Sequence, residues 1–267
     1  MTPDLDLAGR LDAMRGAAPL VHCITNYVAM NIAANVLLAA GASPAMVHTP
    51  EEAEEFAAIA RALTVNIGTL SPQWLEGMHL AVAGAKGAGR PWVLDPVAHF
   101  ATTYRRQAVS DLMALKPDVL RGNASEVIAL SGGQSMGQGA DSRDPVDRAE
   151  GAAMVIARQH GCVVAVTGPV DFVTDGKRSL RIAGGSPLMP RVTALGCSLT
   201  ALVGAFLAIT PREPFEATVA ALALFAVAGE RAGRAAQGPG SFQNAFLDAL
   251  HAVTPAGLAG EAMLAAP

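Results

Sequence analysis

Four short segments of the 267-residue chain carry side chains able to bind phosphate, hold a divalent cation or take up a proton. In "TALGCS", residues 193–198, Cys197 stands where a loop turns into an apolar run. The free N–H groups at a helix start favour developing negative charge, and the same setting lowers a thiol's pKa toward partial thiolate. The competing reading is a small packing residue, since free cysteines are usually buried. In "RGNASE", residues 121–126, Asn123 and Glu126 have capping-box spacing. Glu126 also falls in the first turn beyond a strand, where a carboxylate can help hold hydrated Mg²⁺, an ion that prefers few carboxylates plus phosphate and water. "LDPV", residues 94–97, ends a strand on Asp95, which is either a turn former before proline or a second acid at the same metal. Arg121 has the planar fork that suits phosphate, set against a solvated surface charge. Thr167 and Gly168 in "VTGPVDFVTDG" bring a hydroxyl and a close backbone to another strand end, or simply let the chain leave the strand.

These groups need a frame, and the pattern around them supplies one. Apolar strand-like runs alternate with helix-like segments: "PLVHCIT" then "AMNIAANVLLAAG", "SPAMV" then "TPEEAEEFAAIARAL", "LTVNIGT" then "SPQWLEGMHLAVAGAK". "PWVLDPV" precedes a helix around "YRRQAVSDLMAL", and "DVLRG" precedes "NASEVIALSGG". Gly41 reads as a C-cap, and Thr49, Pro50 and Glu52 read as a capping box. A polar stretch at 133–144 leads to a helix at about 145–160 and the strand "CVVAVTG". Asp175-Gly176 between two extended runs predicts a hairpin, and three helical stretches finish the chain. Near-continuous apolar strands alternating with helices predict a mostly parallel sheet covered on both faces. In such folds sites lie at the carboxyl ends of strands, which is where "ITN", "NIGT", "LDPV", "LRGN" and "VTG" fall.

Composition narrows the class. Hydrophobic residues are 51% of the chain and charged ones 16%, which supports a packed core and argues against disorder. A net charge of −4 with no basic cluster excludes nucleic acid as the main partner. The longest apolar runs are too short for a membrane span, and the N-terminus has no apolar secretory region. Cys23, Cys162 and Cys197 are odd in number and form no CxxC, as expected of reduced thiols in a cytoplasm. The expectation is one α/β domain over residues 1–267, an enzyme with a small-molecule site.

The segments "VHCITNYVAMNIAANVLLAAGASPAM", "NIGTL", "VLDPV", "RGNASE", "VTGPVDFVTDG", "PLMPRVTALGCSLTALVGAF" and "GPGSFQNAFLDAL" together resemble the hydroxyethylthiazole kinase family of thiamin salvage. They occur in family order and cover the chain from about residue 20 to residue 250. The resemblance implies a single-domain, ribokinase-like three-layer α/β/α fold with a mostly parallel sheet. It implies ATP- and Mg²⁺-dependent phosphorylation of the primary alcohol of 4-methyl-5-(2-hydroxyethyl)thiazole by a cytoplasmic homotrimer with active sites between subunits. Carried over by position, Met46, Asn26 and Gly68 contact the thiazole, and Ala194 and Gly196 line the substrate and anion pocket. Arg121 and Thr167 bind ATP, Asp95 and Glu126 serve the metal and phosphates, and Cys197 sits beside the attacking hydroxyl as the candidate base. Two places depart from the family. Its usual Gly-Thr-Gly-Cys turn is Ala194-Leu195-Gly196-Cys197 here, and its glycine-rich continuation after "DPV" is Ala98-His99-Phe100. His99 has two readings there, a phosphate contact or a solvated loop histidine. Two other functions compete: a kinase for another hydroxymethyl heterocycle, and a vitamin-precursor binding protein that has lost catalysis.

Overall fold

The computed structural model describes residues 5–137 and 144–267. Nine strands form one sheet: β1 Leu20–Ile24, β2 Ser43–Ala45, β3 Ala62–Asn66, β4 Trp92–Asp95, β5 Val119–Asn123, β6 Val163–Thr167, β7 Val170–Thr174, β8 Ser179–Ala183 and β9 Met263–Ala265. Their order is β2-β1-β3-β4-β5-β6-β7-β8-β9. The six from β2 to β6 run parallel and the last three pairings are antiparallel. The expected mostly parallel sheet is therefore present, and the Asp175-Gly176 hairpin joins β7 to β8, with Gly176 at φ +84°.

Eleven helices lie among the described residues: α1 Leu7–Ala17, α2 Met30–Ala40, α3 Pro50–Ile59, α4 Pro72–Gly87, α5 Thr103–Ala114, α6 Ala124–Leu130, α7 Val146–His160, α8 Leu195–Leu207, α9 Pro214–Ala235, α10 Pro239–Ala252 and α11 Pro255–Glu261. Alternate side chains of each strand point to opposite faces. In β6, Val163 and Ala165 join a core built with α1, α2 and α8–α11, while Val164 and Val166 join one built with α3–α7. Both faces are thus dry, which is why the parallel strands read as unbroken apolar runs.

Three local expectations differ. The chain ends in four helices and a strand, because the prolines at 214, 239 and 255 each restart a helix at its first turn. No capping box forms at Thr49, whose hydroxyl instead donates to Glu51. Of the polar stretch at 133–144, residues 138–143 lie outside the described residues. Gly41 does cap α2 in the left-handed region, and Ser71 caps α4 by accepting from the Trp74 N–H.

Candidate active site

The sheet register sets the polar strand ends in a row. Asn66 of β3 is level with Asp95 of β4, and Asn123 of β5 is level with Thr167 of β6. Asn26 follows β1 at the same edge, and the N-terminus of α8 comes down onto it. Asp95 is fully buried, and its Oδ2 accepts from Asn66 Nδ2 at 2.8 Å and Thr200 Oγ1 at 2.7 Å. Arg121 Nη1 lies 3.6 Å from the same oxygen. Oδ1 is buried without a partner. Burial pushes the Asp95 pKa up, against the pull of Arg121 and the donors from Thr200 and Asn66.

Arg121 is 8% exposed, which removes its solvated reading. Its Nη2 donates to the Thr167 hydroxyl, which in turn donates to the Gly122 carbonyl at 3.3 Å. Gly196 lies against the guanidinium; a Cβ there would sit 3.0 Å from Nη2. Asp171 stands behind the same turn, its Oδ1 accepting from the Gly168 N–H at 2.9 Å.

Glu126 forms the capping box with Asn123, accepting from the Asn123 N–H at 2.8 Å while Asn123 Oδ1 accepts from the Glu126 N–H at 3.0 Å. Its other oxygen accepts from the Ala98 N–H at 2.9 Å, so one carboxylate ties the β4 exit loop to α6. Burial first, and the charge of Asp95 second, raise its pKa to about 7. Glu126 is thus a buried cap whose charge feels that of Asp95.

Cys197 lies in the first turn of α8, with Asn26 Nδ2 donating toward its sulfur at 3.5 Å. That amide also donates to Asn66 Oδ1 at 2.9 Å. Gly68 packs on Asn26, where a Cβ would come within 2.6 Å of Nδ2. The expected lowering of the thiol pKa is not found. Burial and the nearby negative charge of Asp95 push it up to about 11, outweighing Arg121 and the hydrogen bonds from Asn66 and Asn26. Cys23 and Cys162 are free and buried.

Asn26, Gly68, Asp95, Arg121, Glu126, Thr167, Gly196 and Cys197 are thus gathered at one edge of the sheet. Met46 follows β2 at the sheet's outer end, half-buried against the α8 side of the core, with no hydrogen bond linking it to that group. Sequence reading missed Asn66 and Thr200. Asn66 was visible as a polar strand end in "NIG", and Thr200 as the residue one helical turn after Cys197.

The hydroxyethylthiazole kinase family model matches residues 11–256. A protein of that name from Rhizobium etli is 70% identical over 253 residues, covering 95% of this chain and 96% of its own. The chain belongs to the hydroxyethylthiazole kinase family. A relative of the same name from Cereibacter sphaeroides is 68% identical over 248 residues, 93% of this chain and 94% of its own. The solved hydroxyethylthiazole kinase protein of Pyrococcus horikoshii OT3 superposes with a TM-score of 0.89 at 40% identity, covering 97% and 98% of the two chains. Staphylococcus aureus pyridoxal kinase, in complex with AMP-PCP and pyridoxal, matches at a TM-score of 0.62 and 17% identity, over 80% of this chain and 89% of its own. That likeness is one of fold alone.

Both departures from the hydroxyethylthiazole kinase pattern now have a shape. Ala194 sits at φ +57° and Ala98 at φ +49°, so each alanine keeps the left-handed backbone that glycine adopts freely. Leu195 does not intrude on the anion turn; it is buried in the core. His99 is buried rather than solvated, its Nδ1 has no partner, and desolvation lowers its pKa to about 4.

Proposed function

We propose that the chain transfers the γ-phosphoryl group of ATP to the primary hydroxyl of 4-methyl-5-(2-hydroxyethyl)thiazole, in thiamin salvage. The observation that carries the reading, within this family, is the buried Asp95 Oδ1 left without a partner on a carboxylate whose other oxygen faces Arg121 and Thr200 of α8. Phosphoryl transfer is mainly positioning plus charge stabilisation, and an acid, a fork of donors and a helix start supply both.

Mg²⁺ fits this donor set in a particular way. Among the described residues no group of three or more His, Cys, Asp or Glu could cage a metal. Two carboxylates at one strand-end row suit an ion that keeps its waters and is shared with phosphates. Asp95 would hold it through Oδ1, and Glu126, with both oxygens already accepting backbone N–H groups, through remaining lone pairs or water. When bound, the ion neutralises charge on the phosphates. Arg121 and Thr167 bind the phosphates, with the N–H groups of α8 near Ala194, Gly196 and Cys197 receiving the transferred group. Asn26, Gly68 and Met46 recognise the thiazole, and Cys197, once its own proton has passed to solvent, takes the alcohol proton late in the step.

The same reading includes a homotrimer whose sites lie between subunits. Exposed Tyr27 and Val28, next to Asn26 in the chain, and Leu38 on α2 support it. The free cysteines support a reducing, cytoplasmic setting. No helix among the described residues is long and apolar enough to cross a membrane, in keeping with small-molecule partners. A coupled ADP-release assay with the thiazole alcohol tests the activity. Turnover should require both the alcohol and Mg²⁺ and stop with EDTA; ADP release unaffected by either would defeat the reading. Sedimentation should give three chains per particle.

A further inference from the structure

Arg105 lies outside every segment singled out by its chemistry, yet it holds three of the strand-end carbonyls around the site. Its Nη1 donates to the Ile67 carbonyl at 3.0 Å and the Val97 carbonyl at 2.9 Å. Its Nη2 donates to the Gly68 carbonyl at 2.6 Å. The helix places it: Thr102 caps α5 by accepting from the Arg105 N–H at 3.2 Å, fixing the first turn beneath the exits of β3 and β4. Carbonyls past a strand's end have lost their ladder partners and need another donor. A guanidinium answers several of them at once because its donors form a rigid planar fork. Among the described residues no carboxylate pairs with Arg105, so its charge is directed wholly to these carbonyls and to the space around them.

What the two exit loops carry gives this clamp its meaning. On the β3 side, the Gly68 N–H donates to Asn66 Oδ1 at 2.9 Å, Asn66 reaches Asp95, and Gly68 packs on Asn26. On the β4 side, the Val97 carbonyl is followed by the Ala98 N–H, which donates to Glu126. Ala98 itself stays in the left-handed region without glycine, so this loop needs an external hold. We propose that Arg105 is a positioning residue that locks the alcohol-binding loop at Gly68 to the acid-bearing loop at Val97–Ala98, setting both halves of the site in one geometry. It acts through the two loops and touches neither acid. The inference rests on the site roles proposed above for Gly68, Asp95 and Glu126.

The clamp predicts that two constants with no chemistry in common move together. In Arg105→Gln, the KM for the thiazole alcohol and the Mg²⁺ concentration for half-activation should each rise roughly tenfold, the scale expected when reacting groups shift by a fraction of an ångström. Calorimetric binding of Mg²⁺·ADP should weaken in parallel, without turnover. Arg105→Lys, which keeps the charge but not the fork, should resemble Gln more than the parent. Guanidinium ion added to Arg105→Gln should restore part of the lost activity, and methylammonium should not. Normal constants in a variant that merely melts earlier, or a shift in only one of them, would overturn the proposal. If Arg105→Gln does not fold, Arg105→Lys carries the same measurements. Asp95→Asn is run beside them. Unchanged Mg²⁺ dependence there would sink the underlying site reading, whereas a shifted Asp95→Asn with an unaffected Arg105 variant would sink the clamp alone.

Discussion

At the scale of single residues, Cys197 and Ala194 ask what one atom contributes. A thiol raised to about 11 by burial and by Asp95 is protonated at neutral pH in this site, so it is no ready thiolate. A loose transition state asks little of a base until late, so the small fraction of Cys197 that has lost its proton to solvent can still accept the alcohol proton. Cys197→Ala should therefore fold normally and lose roughly 10²-fold in kcat, at the low end of acid–base contributions. Cys197→Asp, which offers an acceptor at the same turn, should retain more activity than Ala. Ala equal to the parent would make the thiol a packing group, and Asp no better than Ala would remove proton acceptance from its role. Ala194 poses the opposite question, because its Cβ costs energy at φ +57°. Ala194→Gly relieves left-handed strain of about 1 kcal/mol, less what glycine loses in the unfolded chain. A melting temperature up by about one degree would agree; a fall would mean that the Cβ packing of Ala194 on the core matters more than its backbone.

Between elements, the decisive link is the carboxylate of Glu126, which joins α6 to the loop after β4. From sequence alone Glu126→Gln looks harmless to the cap, since Gln also serves in capping boxes. The second bond, to the Ala98 N–H, changes that expectation. A glutamine amide has one oxygen, so its NH₂ would have to face either the Asn123 or the Ala98 N–H, donor against donor. Glu126→Gln should lose about 1–3 kcal/mol of stability, the penalty for an unpaired buried donor, along with activity. Denaturant melts give the first number; an unchanged midpoint would show that the loop simply moves away. This case also marks what the chain makes legible. The parallel strands and the row of polar strand ends were readable because strands buried on both faces are apolar until they reach the site. Asn123 and Glu126 were readable because a capping box is local, three residues apart. The Ala98 bond was not, since it spans 28 residues. Arg105, Asn66 and Thr200 escaped for the same reason. Their positions were visible, Asn66 at a strand end and Thr200 one turn after Cys197, but the bonds to Asp95, 29 and 105 residues away in the chain, and those of Arg105 to two separate loops were not.

Across the whole molecule, stability should depend on pH through groups buried away from the site, and His22 gives the clearest case. It lies in β1, fully buried, with Phe56 of α3 edge-on at 5.1 Å. Its Nε2 donates to the Val47 carbonyl at 2.7 Å and Nδ1 has no partner, so the neutral ring alone is satisfied. Charging it would bury a cation with an unmatched N–H, and its pKa falls to about 4. The sign follows from proton counts. Between about pH 6.5 and 4 the unfolded chain binds a proton here and the folded chain does not, so stability rises with pH and is lost on acidification. The full effect is up to about 3 kcal/mol, present above pH 6.5 and gone near pH 4. Glu126 and Asp171, both raised to about 7, act in the opposite sense over an overlapping range, because the folded chain holds their protons longer. The parent's profile alone therefore mixes the two. His22→Gln separates them, since the amide keeps a donor for Val47 and does not titrate. Its stability should fall below the parent's at pH 7 and approach it toward pH 4.5, with the carboxylate contributions cancelling in the difference. A stability difference that stays constant across that range would mean that His22 is already charged in the folded protein or exposed to water through the edge strand β2.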